Sequence, residues 1–206
     1  MGYHKPMPLN KIKIISVSGA SGSGKSTLTH YLNNKIQGSL LLSLDRYYLS
    51  KAEQLEKNGY FNFDDPASIE TDLLTKHLEM LKTDGETIVP IYDFTISERV
   101  GEEKVSAANT IIIDGLFAGA IIGDISDYNI FVDVDIEKAL ERRITRDVAE
   151  RGRTRESVLE QFASQVRPSY YKFVEPLRTT SDYVLKNNED IETFLKDADN
   201  KLKFIH

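Results

Sequence analysis

Nine consecutive positions, GASGSGKST from Gly19 to Thr27, combine three glycines, four hydroxyl side chains and one lysine between an apolar run and LTHYLNNKI. Gly19, Gly22 and Gly24 give the backbone freedom to turn successive N–H groups of Ala20, Ser21, Ser23 and their neighbours toward a single point. A helix starting at Lys25 adds free N-terminal donors and the positive end of its dipole. Lys25 supplies a fixed cation, while Ser26 and Thr27 supply hydroxyls. The spacing Gly-x-x-x-x-Gly-Lys-Ser is that of a phosphate-binding P-loop: it cradles a nucleoside triphosphate, with ATP the expected donor, and Ser26 is a candidate Mg²⁺ ligand.

Two carboxylates end apolar runs on the same sequence pattern. Asp114 follows TIII and is the second candidate Mg²⁺ ligand. Asp45 ends SLLLSLD and could accept the proton of an attacking hydroxyl, or orient it in line with a γ-phosphate. A strand-end carboxylate can also simply cap the next helix, and both readings stay open at this level. The stretch ERRITRDVAERGRTR gathers Arg142, Arg143, Arg146, Arg151, Arg153 and Arg155 around Gly152. Such a cluster reads as a hinged flap that closes over phosphates and expels water. Asp147 within it is expected to pair with one of these arginines. A P-loop by itself does not separate motors, switches and kinases. The chain has no Asn-Lys-x-Asp guanine-reading loop, and its small size and second polar cluster favour a phosphotransferase.

These groups need a frame. Strand character is read at 12–18, 39–45, 109–119, 129–135 and 181–185, with short extended pieces around Pro90 in 87–94. Helical spacing is read at 25–36, at 68–82 with Ser68 as N-cap, at 136–151, at 155–166 and from 188 onward. Pro168 opens a short further helix, and 46–66 reads as a loop with short helical pieces. Alternating strands and helices imply an α/β three-layer fold with a central, mostly parallel sheet and an arginine-bearing helical lid. All 206 residues are expected to form one kinase domain, with 1–10 a flexible N-terminus.

Composition narrows the partners. With 32 acidic against 26 basic residues the net charge is −6, which argues against nucleic acid. There is no cysteine, so disulfides and thiolate chemistry are excluded; the four histidines show no ligand spacing. No apolar run reaches the roughly 18 residues of a membrane span. Pro6 stands where a myristoylation signal needs Ser or Thr, no signal-peptide core follows, and a cytoplasmic location is expected.

The ordered segments LDRYY, FNFDDP, PIYDFTISER, IIIDGL, FVDVD, RRITRDVAERGR, QFASQVRPSYYKFVEP and SDYVL resemble the uridine kinase (uridine–cytidine kinase) branch of the P-loop kinases that includes phosphoribulokinase. The resemblance covers nearly everything from Ile12 to Leu185. It implies ATP- and Mg²⁺-dependent phosphorylation of the 5′-hydroxyl of uridine or cytidine, and a homo-oligomer (tetramer or dimer). It matches Asp45 to the catalytic aspartate and Tyr48 to the acceptor side. It matches Asp64 and Arg143 to the ribose hydroxyls, Tyr92 and Phe94 to the base, and Arg153 and Gln161 to further acceptor contacts. Arg146 and Arg151 match lid residues on the ATP phosphates. Two positions depart from the pattern. Asp114 replaces a glutamate, and Ser97 replaces a histidine that reads the pyrimidine edge. The second change leaves room for another small hydroxyl acceptor: a different nucleoside, a sugar phosphate, glycerate or a pantothenate-like alcohol. A non-catalytic ATP-binding regulator is the remaining alternative.

Overall fold

The computed structural model describes residues 12–106 and 109–203, so the expected flexible terminus at 1–10 lies outside the described residues. Strand β1 (Lys13–Gly19) leads into helix α1 (Lys25–Lys35), and β2 (Ser39–Ser43) follows. After α2 (Lys51–Asn58) and α3 (Thr71–Asp84), β3 (Glu86–Asp93) and β4 (Glu98–Ser106) form a separate antiparallel pair. Then come β5 (Thr110–Asp114), α4 (Ala118–Ile122), β6 (Tyr128–Asp133) and α5 (Ile136–Arg151). Helices α6 (Arg155–Gln161), α7 (Arg167–Ser169) and α8 (Leu177–Thr180) precede β7 (Tyr183–Lys186) and α9 (Ile191–Lys201).

The main sheet has the order β2-β5-β1-β6-β7, and every neighbouring pair in it is parallel. Successive side chains of a strand point to opposite faces, so a doubly covered strand must be apolar on both. Ile15 and Val17 of β1 pack with Ile112, Val132, Leu28 and Leu32 of α1, and Phe194 of α9. Ile14 and Ile113 face the other way, onto Leu74 and Leu78 of α3, Ile122 of α4 and Leu177 of α8. This gives helices on both faces. Because β5 and β6 flank β1, the chain leaves β1 toward both sides, and the crevice beyond the strand carboxyl ends opens there. No described helix is long and apolar enough to cross a membrane.

Several boundaries differ from the sequence expectation. Strand β2 stops at Ser43, and Asp45 sits in a 3-10 turn, Leu44–Tyr47, entered as Ser43 Oγ accepts the Asp45 N–H at 3.3 Å. Ser68 does not cap α3. It ends a 3-10 turn, and its hydroxyl donates to Asp65 O, while α3 starts at Thr71. The short helical pieces expected in 46–66 are present: α2 is the main one, started by a capping box in which Ser50 accepts from Glu53 N–H and Glu53 from Ser50 N–H. Strand β4 falls where the sequence predicts no strand. Most of its residues are exposed, so it carries no apolar alternation to read. Pro168 stands in the first turn of the short α7, but that helix is not a separate element in space. It lies in a continuous helical path between two π turns, Phe162–Val166 and Tyr170–Val174. Proline has no N–H to give to the carbonyl four residues back. The ladder widens beside it, with Arg167 N–H donating to Phe162 O.

Candidate functional site

The loop between β1 and α1 is tied down on two sides. Gly22 has φ 84°, and a Cβ there would lie 2.5 Å from Ala139 O of α5; Gly24 has φ 97°, and its Cβ would lie 2.2 Å from Asn187 Nδ2. Asn187 is buried and donates to Ser23 O at 2.7 Å. Both glycines therefore serve a backbone conformation and a close approach together. Lys25 folds back over the loop, donating to Gly19 O at 2.9 Å and Ala20 O at 2.8 Å. Burial pulls its ammonium down to about 8, against the pull of Asp114 and Asp45.

Ser26 and Thr27 lie in the first turn of α1, and Asp114 closes β5. Ser26 Oγ donates to Asp114 Oδ2 at 3.4 Å, which brings two hard oxygen donors together at the mouth of the loop. Asp45 stands on the same side of the sheet. It lines one cavity of about 640 Å³ with Lys25, Ser26 and Asp114. Burial raises its carboxyl to about 6, and the Asp114 charge adds to that, while Lys25, Arg151 and Arg146 oppose it.

The rest of the cavity lining is aromatic and ionic. Tyr48, Phe63 and Phe94 line it, with ring centroids 5.0 to 5.5 Å apart in edge-to-face contacts. Asp64, Arg143, Arg153 and Gln161 complete this wall. Asp64 is pushed above the usual carboxylate range by burial, with Arg143 acting against that. Arg143 donates to Gln161 Oε1 at 3.2 Å, and Arg153 donates to the same oxygen.

The lid arginines converge on Asp147, whose side chain is fully buried. Arg143, Arg146, Arg151 and Arg153 all lie within ion-pair distance of it, so the single pairing expected from sequence is fourfold. Gly152 closes α5 with its N–H on Asp147 O. Arg142 and Arg155 do not join the cluster; they bond Asn187 O and Glu141. Arg151 also covers Phe94, its guanidinium 5.9 Å from the ring centroid.

Two acceptor-side candidates stand outside the cavity lining, and on the donor side Arg146 does too, held instead against Asp147 and Ser21. Tyr92 packs 5.0 Å from Phe94 but is not among the cavity-lining residues, and its hydroxyl donates to Leu49 O at 3.3 Å. Ser97 has φ 58°, in the turn between β3 and β4, and does not line the cavity either. The residues that line it there are Asp93 and Thr95, which sequence reasoning missed together with Ser43, Phe63 and Glu150. Phe63 adjoins Asp64 in FNFDDP and could have been found by that neighbourhood. Nothing in the spacing of Asp93, Thr95 or Glu150 distinguishes them from surface residues.

A family model described as "Phosphoribulokinase / Uridine kinase family" matches residues 14–193. A uridine kinase of Ligilactobacillus salivarius is 39% identical over 183 residues, covering 85% of each chain. One of Bacillus pumilus is 36% identical over 182 residues, covering 85% of this chain and 87% of its own. Among solved structures, phosphoribulokinase from Rhodobacter spheroides superposes with a TM-score of 0.63 at 21% identity, over 85% of this chain and 70% of that one. A D-glycerate 3-kinase from Cryptococcus neoformans gives 0.67 at 17% identity, over 86% of each. These two structural likenesses speak for the fold.

Proposed function

Since the chain belongs to the phosphoribulokinase/uridine kinase family, we propose that it is an ATP- and Mg²⁺-dependent kinase that phosphorylates the 5′-hydroxyl of a ribonucleoside, uridine or cytidine. The observation that carries this reading is one cavity lined both by the phosphate-loop lysine with Asp45 and by aromatic rings with Asp64 and Arg143.

The donor's phosphates lie in the loop, and Lys25 exchanges its two loop carbonyls for their oxygens. The hydroxyl of Ser26 and the carboxylate of Asp114 fit a small hard cation that keeps several waters and leans on substrate phosphates. Bound there, Mg²⁺ supplies neutralisation of the charge that builds on the β- and γ-phosphate oxygens. Asp45 accepts the proton of the attacking hydroxyl, for which it must be ionised. Its raised value places the loss of that form near pH 6. Asp64 and Arg143 hold the ribose diol, and Phe63 and Phe94 flank the base. Arg146 and Arg151 close on the transferring group and exclude water. The reading takes the chain as one cytoplasmic catalytic domain acting on small molecules, with copies of itself as its other partners.

Incubation with Mg²⁺·ATP and a panel of nucleosides, ribulose 5-phosphate, glycerate and pantothenate tests the acceptor. The expected result is a nucleoside 5′-monophosphate from uridine or cytidine. Turnover confined to the non-nucleoside alcohols would assign the site to another acceptor. ATP bound with no product from any alcohol would make the chain a nucleotide sensor.

Lys25 gives a second expected result. In the free protein its charge is lost through about pH 8, whereas bound phosphates favour the charged form. ATP binding should therefore take up close to half a proton at pH 8, and its Kd should rise by up to about tenfold per pH unit above that. Calorimetry in buffers of different ionisation enthalpy reads the proton directly. A Kd that stays flat from pH 7 to 9.5 would mean that Lys25 does not bind the phosphates. Without ligand the sign is opposite for stability. Between about 8 and the unfolded value near 10.4 the unfolded chain binds more protons, so the empty protein gains stability as pH rises.

A further inference from the structure

The two carboxylate oxygens of Asp147 face different partners. Oδ1 accepts from Arg146 Nε at 3.0 Å and lies 3.3 Å from an Arg151 guanidinium nitrogen. Oδ2 lies 3.4 Å from Arg143 Nε and 3.8 Å from an Arg153 nitrogen. Of the first pair, Arg146 belongs to the donor end, since it also reaches Ser21 Oγ of the phosphate loop at 3.4 Å, while Arg151 spans the two ends, close to Asp45 and over the Phe94 ring at 5.9 Å. The second belongs to the acceptor end, since Arg143 and Arg153 share Gln161 Oε1 and Arg143 is attracted by Asp64. The main chain of the same residue anchors the start of the flap, because Asp147 O accepts from both Gly152 and Arg153 N–H.

We infer that Asp147 is a positioning residue that couples the two substrate sites, so that a triphosphate in the loop tightens the hold on the acceptor. This rests on the kinase reading above. One carboxylate facing four guanidinium groups leaves like charges crowded around the buried Arg143, with Arg146 and Arg151 acting against its charge. A triphosphate that draws Arg146 and Arg151 onto its own oxygens removes that repulsion and frees Oδ1. The carboxylate then settles on Arg143 and Arg153 alone, and these, with Gln161, are held still at the acceptor end. An acceptor arriving second meets a wall already ordered and loses less freedom on binding. By linkage the acceptor tightens ATP by the same factor.

Isothermal titration of the whole chain with uridine and cytidine, without and with saturating Mg²⁺ and the non-transferable β,γ-imido analogue of ATP, tests this. For the wild type the analogue should tighten the nucleoside by about fivefold or more, the lower range of ordinary site-to-site coupling. Asp147→Asn keeps the shape but removes the charge, and should cut the tightening to below about twofold with an unchanged circular dichroism spectrum. Arg146→Gln, at a side chain one-third exposed, strands no buried charge and should give the same loss. It decides alone if Asp147→Asn fails to fold. Wild-type tightening retained in either folded variant overturns the coupling role, as does a wild type whose nucleoside affinity ignores the analogue. A wild type that binds neither nucleoside under either condition overturns the acceptor assignment as well.

Discussion

Asp45→Asn should lower kcat by about 10²- to 10⁴-fold, the usual contribution of a positioned general base, while the Kd for ATP changes by less than about threefold. The asymmetry follows from where the side chain stands. It lines the cavity beside Lys25 and Asp114, but it is not a loop residue and bonds no loop amide. The amide of asparagine fills the same volume and cannot take a proton. In the wild type kcat/KM should fall as pH drops through about 6, where the free enzyme protonates Asp45. Equal loss of ATP binding and turnover in the variant would place Asp45 at the donor end instead.

The same substitution should stabilise the protein when no ligand is bound. Asp45 titrates near 6 when folded and near 3.8 when unfolded, so between these values the folded chain binds more protons. Stability contributed by the neutral form is lost as pH rises through 6, and at pH 7 the ionised group is a cost on the order of 3 kcal/mol. The variant should unfold later in urea at pH 7, and the difference should shrink as pH falls from 6 to 4. On the proposed role of Asp45, a catalytic carboxylate is thus held at the expense of the fold.

Asp147→Ala should destabilise the chain by about 3 kcal/mol, because removing one partner of a buried ion pair leaves the other charge uncompensated. Arg143 is only 6% exposed and would keep only Gln161 and the nearby Asp64. For a chain of this size the melting temperature should fall by roughly 6 to 12 °C. The alanine loses both the charge and the acceptor oxygens, so the effect should exceed that of Asp147→Asn. A melting temperature unchanged within a degree would mean that water, not Asp147, balances the arginines.

How much of this was legible in the amino-acid order varies with the kind of signal. The P-loop and the strand ending at Asp114 were readable because each depends on neighbours in the chain. Parallel strands buried on both faces announce themselves as β-branched runs. The β3–β4 hairpin did not, since the Glu98–Ser106 strand is largely solvent-facing and its pairing is set across the turn. The short helical pieces expected in 46–66 include α2, whose bounds follow from the capping signal at Ser50 and Glu53. The apolar run 39–45 puts Asp45 at a strand end, whereas it stands in the 3-10 turn just beyond, because one such turn past a strand leaves no trace in hydrophobic periodicity.

The nucleotide loop, the α/β class and the stock of carboxylates and arginines are written in the order of residues, since local spacing and burial preference act over a few residues at a time. Tertiary structure alone decided which of these meet. It set Ser97 outside the cavity and Asp93 and Thr95 within it, and it turned Tyr92 toward Leu49. It also gathered four arginines on the two oxygens of Asp147. Such convergence depends on how helices and turns distant in the chain pack against one another, and on the direction each side chain takes from its backbone. No pattern of neighbours along the chain encodes that.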